Sequence, residues 1–252
     1  MLDILQTYFG KLLTALGFTL VLTLWALLFA LVIGLFFALL NVSHSRVLRF
    51  IGTLYVDMVR GVPLIVLAFF VYFGVPQGVH MMGESVLASH GGVLPALAEG
   101  VRDPLWAAFC RSCAAYRLTA LQAGTAALAM NCGAYMAEIF RAGIQSIDHG
   151  QMEAARSLGL SYPRSMYRVV LPQAFRVMIP SIINQFIITL KDTSILTVIG
   201  YPELTNAGKS VVANTFKSLE TWAIVGVMYM IVIVSLSKLA LILERRLKRG
   251  RA

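Results

Sequence analysis

The sequence predicts an all-α integral membrane protein with five transmembrane helices, its N-terminus outside and its C-terminus in the cytoplasm. The 252-residue chain is 58% hydrophobic and 13% charged, about half the charge that a soluble domain of this length carries. Long stretches also lack Asp, Glu, Lys and Arg, and a helix needs roughly 17–25 such residues to cross a bilayer. We therefore expect a single transmembrane domain over residues 1–252.

Five apolar stretches predict the spans in chain order. The first is far longer than the ~7–15-residue core of a secretory signal, so it is expected to stay in the membrane. The fourth resumes after Lys191 and Asp192, and the fifth passes Lys238 if that side chain extends to the headgroups. The stretches do not alternate as barrel strands would. The predicted spans are about 12–40, 61–80, 118–140, 177–200 and 221–243.

The distribution of basic residues predicts the orientation of these spans. The segments 41–60, 141–176 and 238–252 hold fourteen Lys and Arg residues, and the segments on the opposite side hold six. The more basic side of a membrane protein faces the cytoplasm. The net charge of +9 is thus explained by topology and anionic lipid, which argues against a nucleic-acid-binding protein.

The segment 141–176 is too long for a simple turn and predicts two short cytoplasmic helices. Asp148 and Gln151 have the spacing of a capping box, which predicts a first helix over about 150–158. Gly159 should end that helix, because glycine adopts the left-handed C-cap conformation without steric cost.

Three further residues predict the second cytoplasmic helix. Ser161 is placed to cap its start, and Pro163 is tolerated in a first helical turn. Pro172 lies where this helix is expected to bend or break. The prediction is a helix, a glycine turn and a second helix at the cytoplasmic face.

The residues of this segment resemble the EAA loop of binding-protein-dependent ABC importer permeases. The pattern EAA-x3-G-x9-I-x-LP is matched with one departure, Val169 at the isoleucine position. In that family the first short helix is the coupling helix, which docks into a groove of the ATPase subunit. The resemblance implies an ATPase-coupling role for Glu153, Ala154, Ala155, Gly159, Leu171 and Pro172.

Stretches elsewhere in the chain resemble the polar amino-acid permeases of this family. They are Arg60–Pro63 (RGVP), Tyr72–Gly74 (YFG), Gly133–Arg141 (GAYMAEIFR), Leu190–Ser194 (LKDTS) and Glu203–Leu204 (EL). The segment 78–117 does not match, so it is interpreted as an outer insertion whose glycines and prolines indicate loops. Cys110 and Cys113 within it form a lone C-x-x-C, which is weak support for zinc and leaves a disulfide open.

Charged and polar residues within the spans are candidates for a substrate path. Charges in a bilayer normally face a cavity or a partner. Lys191 or Asp192 could instead pair with Glu138 or Arg141 as a structural lock, and the polar residues could hold helices together. Arg60 is interpreted as setting topology, in preference to forming part of a gate. The candidate path residues are Asn131, Tyr135, Glu138, Asn184, Gln185, Thr189, Lys191, Asp192 and Thr193.

The resemblance implies a permease subunit that imports a polar amino acid delivered by an extracytoplasmic solute-binding protein. It also implies two ATPase subunits, a second permease that is identical or paralogous, and a location in the inner membrane. The chain has no G-x-x-x-x-G-K-[ST] loop, so Mg-ATP is expected on the partner ATPase, with no cofactor, catalytic residue or metal site here. An ion-coupled secondary transporter or channel is the alternative, and a membrane enzyme is less favoured because the four histidines are scattered. The solute carried, and a homodimeric or heterodimeric permease pair, stay open.

Overall fold

The computed structural model describes the backbone of residues 2–43, 45–88, 112 and 115–249, and these residues are predominantly helical. Two π-helical turns, Phe70–Gly74 and Met166–Val170, and one 3₁₀ segment, Thr193–Ile199, interrupt or extend the α-helices. The α-helices are α1 Leu2–Val42, α2 Arg46–Gly61, α3 Leu64–Phe69, α4 Val75–Ala88, α5 Ala120–Gln145, α6 His149–Ser157, α7 Tyr162–Ser165, α8 Leu171–Asp192, α9 Leu204–Thr215 and α10 Ser218–Arg249.

Four stretches of the described residues are long and apolar enough to cross a membrane. They are Asp3–Val42, Leu64–Met82, Tyr162–Ile199 and Ser218–Ile242, and they include most of the first, second, fourth and fifth predicted spans. The predicted span at 118–140 also forms a helix, α5, which is 26 residues long. Half of the residues of α5 are buried, and most of these are alanine or glycine. Its lower hydropathy therefore reflects packing against protein.

The first helix begins at Leu2, ten residues before the predicted start of the span. The prediction stopped at Lys11 because a charge interrupts the apolar run. In the structure Lys11 Nζ donates a hydrogen bond to Ser210 Oγ of α9 at 2.7 Å, and Lys217 lies 3.5 Å from a carboxylate oxygen of Asp3. The helix continues through these charges because side chains following or within α9 pair with them.

The segment 41–60 was predicted as a cytoplasmic connection, and it contains the helix α2, which was not predicted. One side of α2 is buried through Gly52, Val56 and Val59, and it packs on α1 and α5. Its opposite side exposes apolar residues, among them Phe50 and Met58. Such an amphipathic helix suits the boundary between protein, lipid headgroups and water.

The outer segment predicted at 78–117 begins later than expected. Residues 78–88 belong to α4, and the second candidate span ends among them at Met82. Gly78 and Gly83 were placed in the outer segment, and an isolated glycine in an apolar helix is tolerated at a cost of about 1 kcal/mol. Most of the remaining segment, including Cys110 and Cys113, lies outside the described residues.

Both π turns directly precede a helix with proline at its second position, Pro76 in α4 and Pro172 in α8. Pro172 was expected to bend or break its helix, because a proline lacks an N–H and its ring clashes with the carbonyl four residues earlier. Instead Leu171 N donates to Met166 O, and Val75 N donates to Phe70 O in the same way. The wider turn accommodates the proline, so both helices continue.

The core of the protein is built where α1 and α5 pack along each other. A Cβ atom at Gly34 of α1 would lie 2.5 Å from Met136 Cβ and 3.1 Å from the backbone nitrogen of Ala137. The backbone of α5 cannot move aside as a flexible side chain could. Gly34 is thus required for this close approach.

Replacing Gly34 by leucine is expected to lower the stability of the detergent-solubilised protein by about 3 kcal/mol, at the upper end of overpacking costs. Thermal unfolding measures the effect. Gly17→Leu is the matched control in the same helix, because a Cβ there meets nothing within 4 Å. Equal melting temperatures for the two variants would contradict the packing described for Gly34.

Candidate functional site

The segment that contains the EAA motif folds as two helices around a glycine turn. The side chain of Asp148 caps α6 by accepting a hydrogen bond from Gly150 N at 2.6 Å. The predicted capping box does not form, because Asp148 caps the second helical residue and not the third, and Gln151 Oε1 accepts from Gln173 Nε2 of α8 at 3.2 Å. Gln173 Nε2 also donates to Val169 O at 3.0 Å. These contacts tie the short helix directly to the long one.

Gly159 ends α6 as predicted. Its φ of 85° is in the left-handed region, which side chains other than glycine rarely adopt. Leu160 N donates to Ala155 O at 3.2 Å, and Gly159 N donates to Arg156 O at 2.9 Å. This pair of hydrogen bonds is a Schellman motif. Ser161 stands at the start of α7, but its side chain makes no capping hydrogen bond.

The side chains of the EAA motif divide into an outward and an inward set. Glu153 and Ala154 are exposed, and Leu158 beside the turn is 85% exposed. Ala155 is buried against its own chain, so it supports the loop from within and leaves Ala154 to face outward. Pro172 is exposed and Leu171 is half-buried. Leu158 is not one of the motif residues, but its exposed side chain lies beside the turn.

Three adjoining cavities lie along α2 and α5, the first beside the end of α1 and the other two beside α8, and Arg60 lines all of them. Their volumes are about 600, 510 and 490 Å³. The first reaches Asn41 and Gln145, the second Asp192 and Asn131, and the third Asn184 and Pro180. Shared lining residues show that the cavities are neighbours.

Six of the nine predicted path residues line these cavities: Asn131, Tyr135, Glu138, Asn184, Gln185 and Asp192. The other three do not. Thr189 is buried and its hydroxyl donates to Gln185 O at 2.9 Å, and Thr193 is buried and donates to Leu190 O at 2.7 Å. Lys191 is exposed and lies outside the residues that line the three cavities. The structure thus places the two threonines in helix packing.

Arg60 is the site residue that sequence reasoning assigned elsewhere. Its guanidinium carbon lies 5.1 Å from the centre of the Tyr135 ring, within the range of a cation–π interaction. Topology was the favoured role because Arg60 stands at a span boundary on the basic side. The amphipathic spacing of the residues in α2 is the sequence signal that could have indicated that Arg60 faces the cavities.

Glu138 has a partner within its own helix. Arg141 donates from Nε to Glu138 Oε2 at 3.2 Å and also from Nη2 to Oε1. Arg141 Nη1 donates further to Gln145 Oε1 at 2.8 Å. The hypothesis of a lock between Glu138 or Arg141 and Lys191 or Asp192 is therefore replaced by a pair one helical turn apart.

A second polar cluster surrounds Glu203, which is fully buried at the start of α9. Its carboxylate accepts from the backbone N–H groups of Thr205 at 2.7 Å and Asn206 at 2.6 Å. It also accepts from the hydroxyls of Thr197 at 2.5 Å and Tyr229 at 2.9 Å. One side chain thereby joins the 3₁₀ segment, α9 and α10.

Comparison with known proteins gives a consistent set of relatives. Residues 30–249 match the family of binding-protein-dependent transport system inner membrane components. The arginine transport system permease protein ArtQ of Bacillus subtilis is 32% identical over 236 residues, covering 94% of this chain and 92% of that protein. The glutamine transport system permease protein GlnP of Escherichia coli is 31% identical over 230 residues, covering 90% of each.

Two solved structures share the fold. A crystal structure of an amino acid ABC transporter with histidines matches with a TM-score of 0.79 at 31% identity, covering 97% of both chains. An inward-facing structure of the MetNI methionine ABC transporter matches with a TM-score of 0.70 at 17% identity, covering 95% of this chain and 97% of that one. The second likeness concerns the fold alone.

Proposed function

Because the chain belongs to the family of binding-protein-dependent transport system inner membrane components, we propose that it is the permease subunit of an ATP-driven importer of a polar amino acid. It is a multi-pass protein of the inner membrane. The observation that carries the proposal is the group of three cavities that polar and charged side chains of α2, α5 and α8 line together. The names of the relatives, which include arginine and glutamine transport permeases, support the substrate class.

We propose five spans, with α5 as the third, an N-terminus outside and a cytoplasmic C-terminus. The length of α5, 26 residues, exceeds the ~17–25 residues that a span needs. Its buried surface faces protein, so it can cross the bilayer with less apolar character than its neighbours. The basic segments 141–176 and 238–252 support the cytoplasmic side for the EAA segment.

The outward side of α6 is proposed as the docking surface for an ATPase subunit, which carries Mg-ATP. Glu153 can accept charged hydrogen bonds there, Ala154 permits close approach, and the exposed Leu158 supplies apolar contact. The bond between Gln151 and Gln173 provides a route by which displacement of α6 reaches α8, which lines two of the cavities. Leu171 and Pro172 stand at the start of that helix.

The complete importer is proposed to contain two ATPase subunits, a second permease and an extracytoplasmic solute-binding protein. A single chain of five spans is small for an enclosed translocation path, so a second copy or a paralogue is needed to complete it. The solute-binding protein would deliver the amino acid from outside.

Reconstitution tests the function. The permease pair, the ATPase and the solute-binding protein are placed in proteoliposomes, and uptake of labelled glutamine, arginine, histidine and cystine is measured. We expect uptake of at least one amino acid that requires ATP, the ATPase and the binding protein. Uptake without ATP or without the ATPase would instead support an ion-coupled transporter or a channel.

The bond between Gln151 and Gln173 gives a separate prediction about coupling. Gln173→Leu is expected to lower the amount of amino acid moved per ATP about two- to tenfold, because one neutral hydrogen bond contributes about 0.5–1.5 kcal/mol. Gln151→Leu should have a similar effect, and the double variant should add little. Independent, multiplicative effects in the double variant would show that the two side chains do not act together.

A further inference from the structure

Arg60 has the properties of a ligand-binding cation, although its place in the chain suggested a topological role. It is exposed, and it lines all three cavities. Among the described residues its guanidinium has a cation–π contact with Tyr135 but no hydrogen bond or salt bridge. A guanidinium offers five donors in a planar fork that suits a carboxylate. Arg60 therefore presents donors that its own chain leaves available.

The nearest carboxylate on α5 does not occupy Arg60. Glu138 lines two of the same cavities, but its two oxygens accept from Arg141. A carboxylate held in this way has less capacity for a second cation. Arg60 interacts with Glu138 only at longer range and shares the 600 Å³ cavity with Asp57. Among the described residues no carboxylate forms an ion pair with Arg60, so its donors can still reach an anion from outside the chain.

An opposite charge faces the same space. Asp192, at the end of α8, is half-buried and lines the 510 Å³ cavity together with Arg60. Its neighbour Lys191 is exposed and is not a lining residue of that cavity. One cavity therefore presents one cation and one anion from different helices, and Asn131 of α5 and Gln185 of α8 line it as well.

We propose that Arg60 binds the α-carboxylate and Asp192 the α-ammonium group of the transported amino acid. This inference rests on the proposed import function and specifies its recognition chemistry. The 510 Å³ cavity would hold the zwitterionic group that all α-amino acids share. The side chain of the solute would then extend toward the adjoining 490 Å³ cavity, which Ser181 and Asn184 line.

The first test measures uptake by variants in the reconstituted system. Arg60→Gln is expected to reduce uptake at least tenfold, while ATP hydrolysis stimulated by the loaded binding protein stays within about twofold of the unaltered protein. Arg60→Lys should lie between the two, because an ammonium keeps the charge without the fork. Asp192→Asn should also reduce uptake at least tenfold.

Arg46→Gln is the matched control. It removes one basic residue from the exposed start of the same helix, so it reproduces any effect on topology. Uptake by Arg46→Gln should stay within twofold of the unaltered protein. If Arg60→Gln behaves like Arg46→Gln, the proposal is wrong and the topological role is sufficient.

The second test compares two ligands on the unaltered complex, so its main result does not depend on the folding of an Arg60 variant. Receptor-free binding of the imported amino acid to the permease–ATPase complex in nanodiscs is compared with binding of its α-carboxamide. The free carboxylate should bind at least tenfold more tightly, and Arg60→Gln should remove that preference. Equal binding of the two compounds to the unaltered complex would overturn the proposal. Absence of any ATP-dependent uptake would instead overturn the importer function itself.

Discussion

Replacing Gly159 by valine is expected to reduce ATP-driven uptake at least tenfold while ATP hydrolysis by the partner continues. A β-branched residue at a φ of 85° costs about 1–3 kcal/mol of backbone strain. The turn relieves that strain by leaving the left-handed conformation, which breaks the hydrogen bonds from Gly159 and Leu160 and moves the exposed Leu158. Uptake and hydrolysis are measured on the same proteoliposomes.

Gly159→Asn is the matched control at the same position. Asparagine populates the left-handed region far more readily than other side chains, and a Cβ at this position meets nothing within 4 Å. Uptake by this variant should remain within about threefold of the unaltered protein. If valine and asparagine couple equally well, the conformation of Gly159 has no part in energy coupling.

Glu203→Ala is expected to destabilise the protein by about 3 kcal/mol. The substitution leaves the buried N–H groups of Thr205 and Asn206 and two hydroxyls without their acceptor, and each unsatisfied group costs about 1–3 kcal/mol. In a domain of this size such a loss lowers the melting temperature by roughly 6–12 °C. Thermal unfolding of the detergent-solubilised protein measures the shift.

Two further variants make that result specific. Glu203→Gln retains one oxygen acceptor, so its melting temperature should lie between those of the alanine variant and the unaltered protein. Asp3→Ala removes an exposed carboxylate that lies 3.5 Å from Lys217, a surface pair that contributes about 0–1 kcal/mol. A Glu203→Ala variant as stable as Asp3→Ala would show that the buried cluster is not a structural joint.

Hydropathy and charge indicated the four candidate spans because the bilayer imposes length and apolar composition directly. The same signals did not reveal that α1 begins ten residues before the predicted span, because no local pattern shows that Lys11 donates a hydrogen bond to Ser210. They also did not predict α2, in which apolar and charged residues recur at helical spacing and Gly52 lies on the buried side. The sequence did not predict that the helix continues past Pro172. A π turn before the proline accommodates it, and such a turn has no distinct sequence pattern.

The candidate site was predictable from the sequence only where a polar residue type stands at a position within an apolar helix. Polar residues in apolar helices, such as Asn131 and Gln185, were predicted as candidates for a substrate path, and both line a cavity. Thr189 and Thr193 look equivalent to these residues in sequence, but their hydroxyls donate to the backbone carbonyls of Gln185 and Leu190. Whether a polar residue faces a cavity depends on which side of α8 faces α5, and the sequence does not show this. The role of Arg60 depends on the packing of α2 on α5, which is a long-range contact.

The small buried residues of α5 have a consequence for how the protein is made. In the five-span arrangement α5 must enter the bilayer, yet its composition is less favourable for insertion by itself than that of its neighbours. The helix that covers its alanines and glycines, α1, is earlier in the chain and is already in the membrane when α5 is synthesised. Integration of α5 is therefore a cooperative event, and a defect at their contact would appear as incorrect biogenesis before it appeared as slow transport.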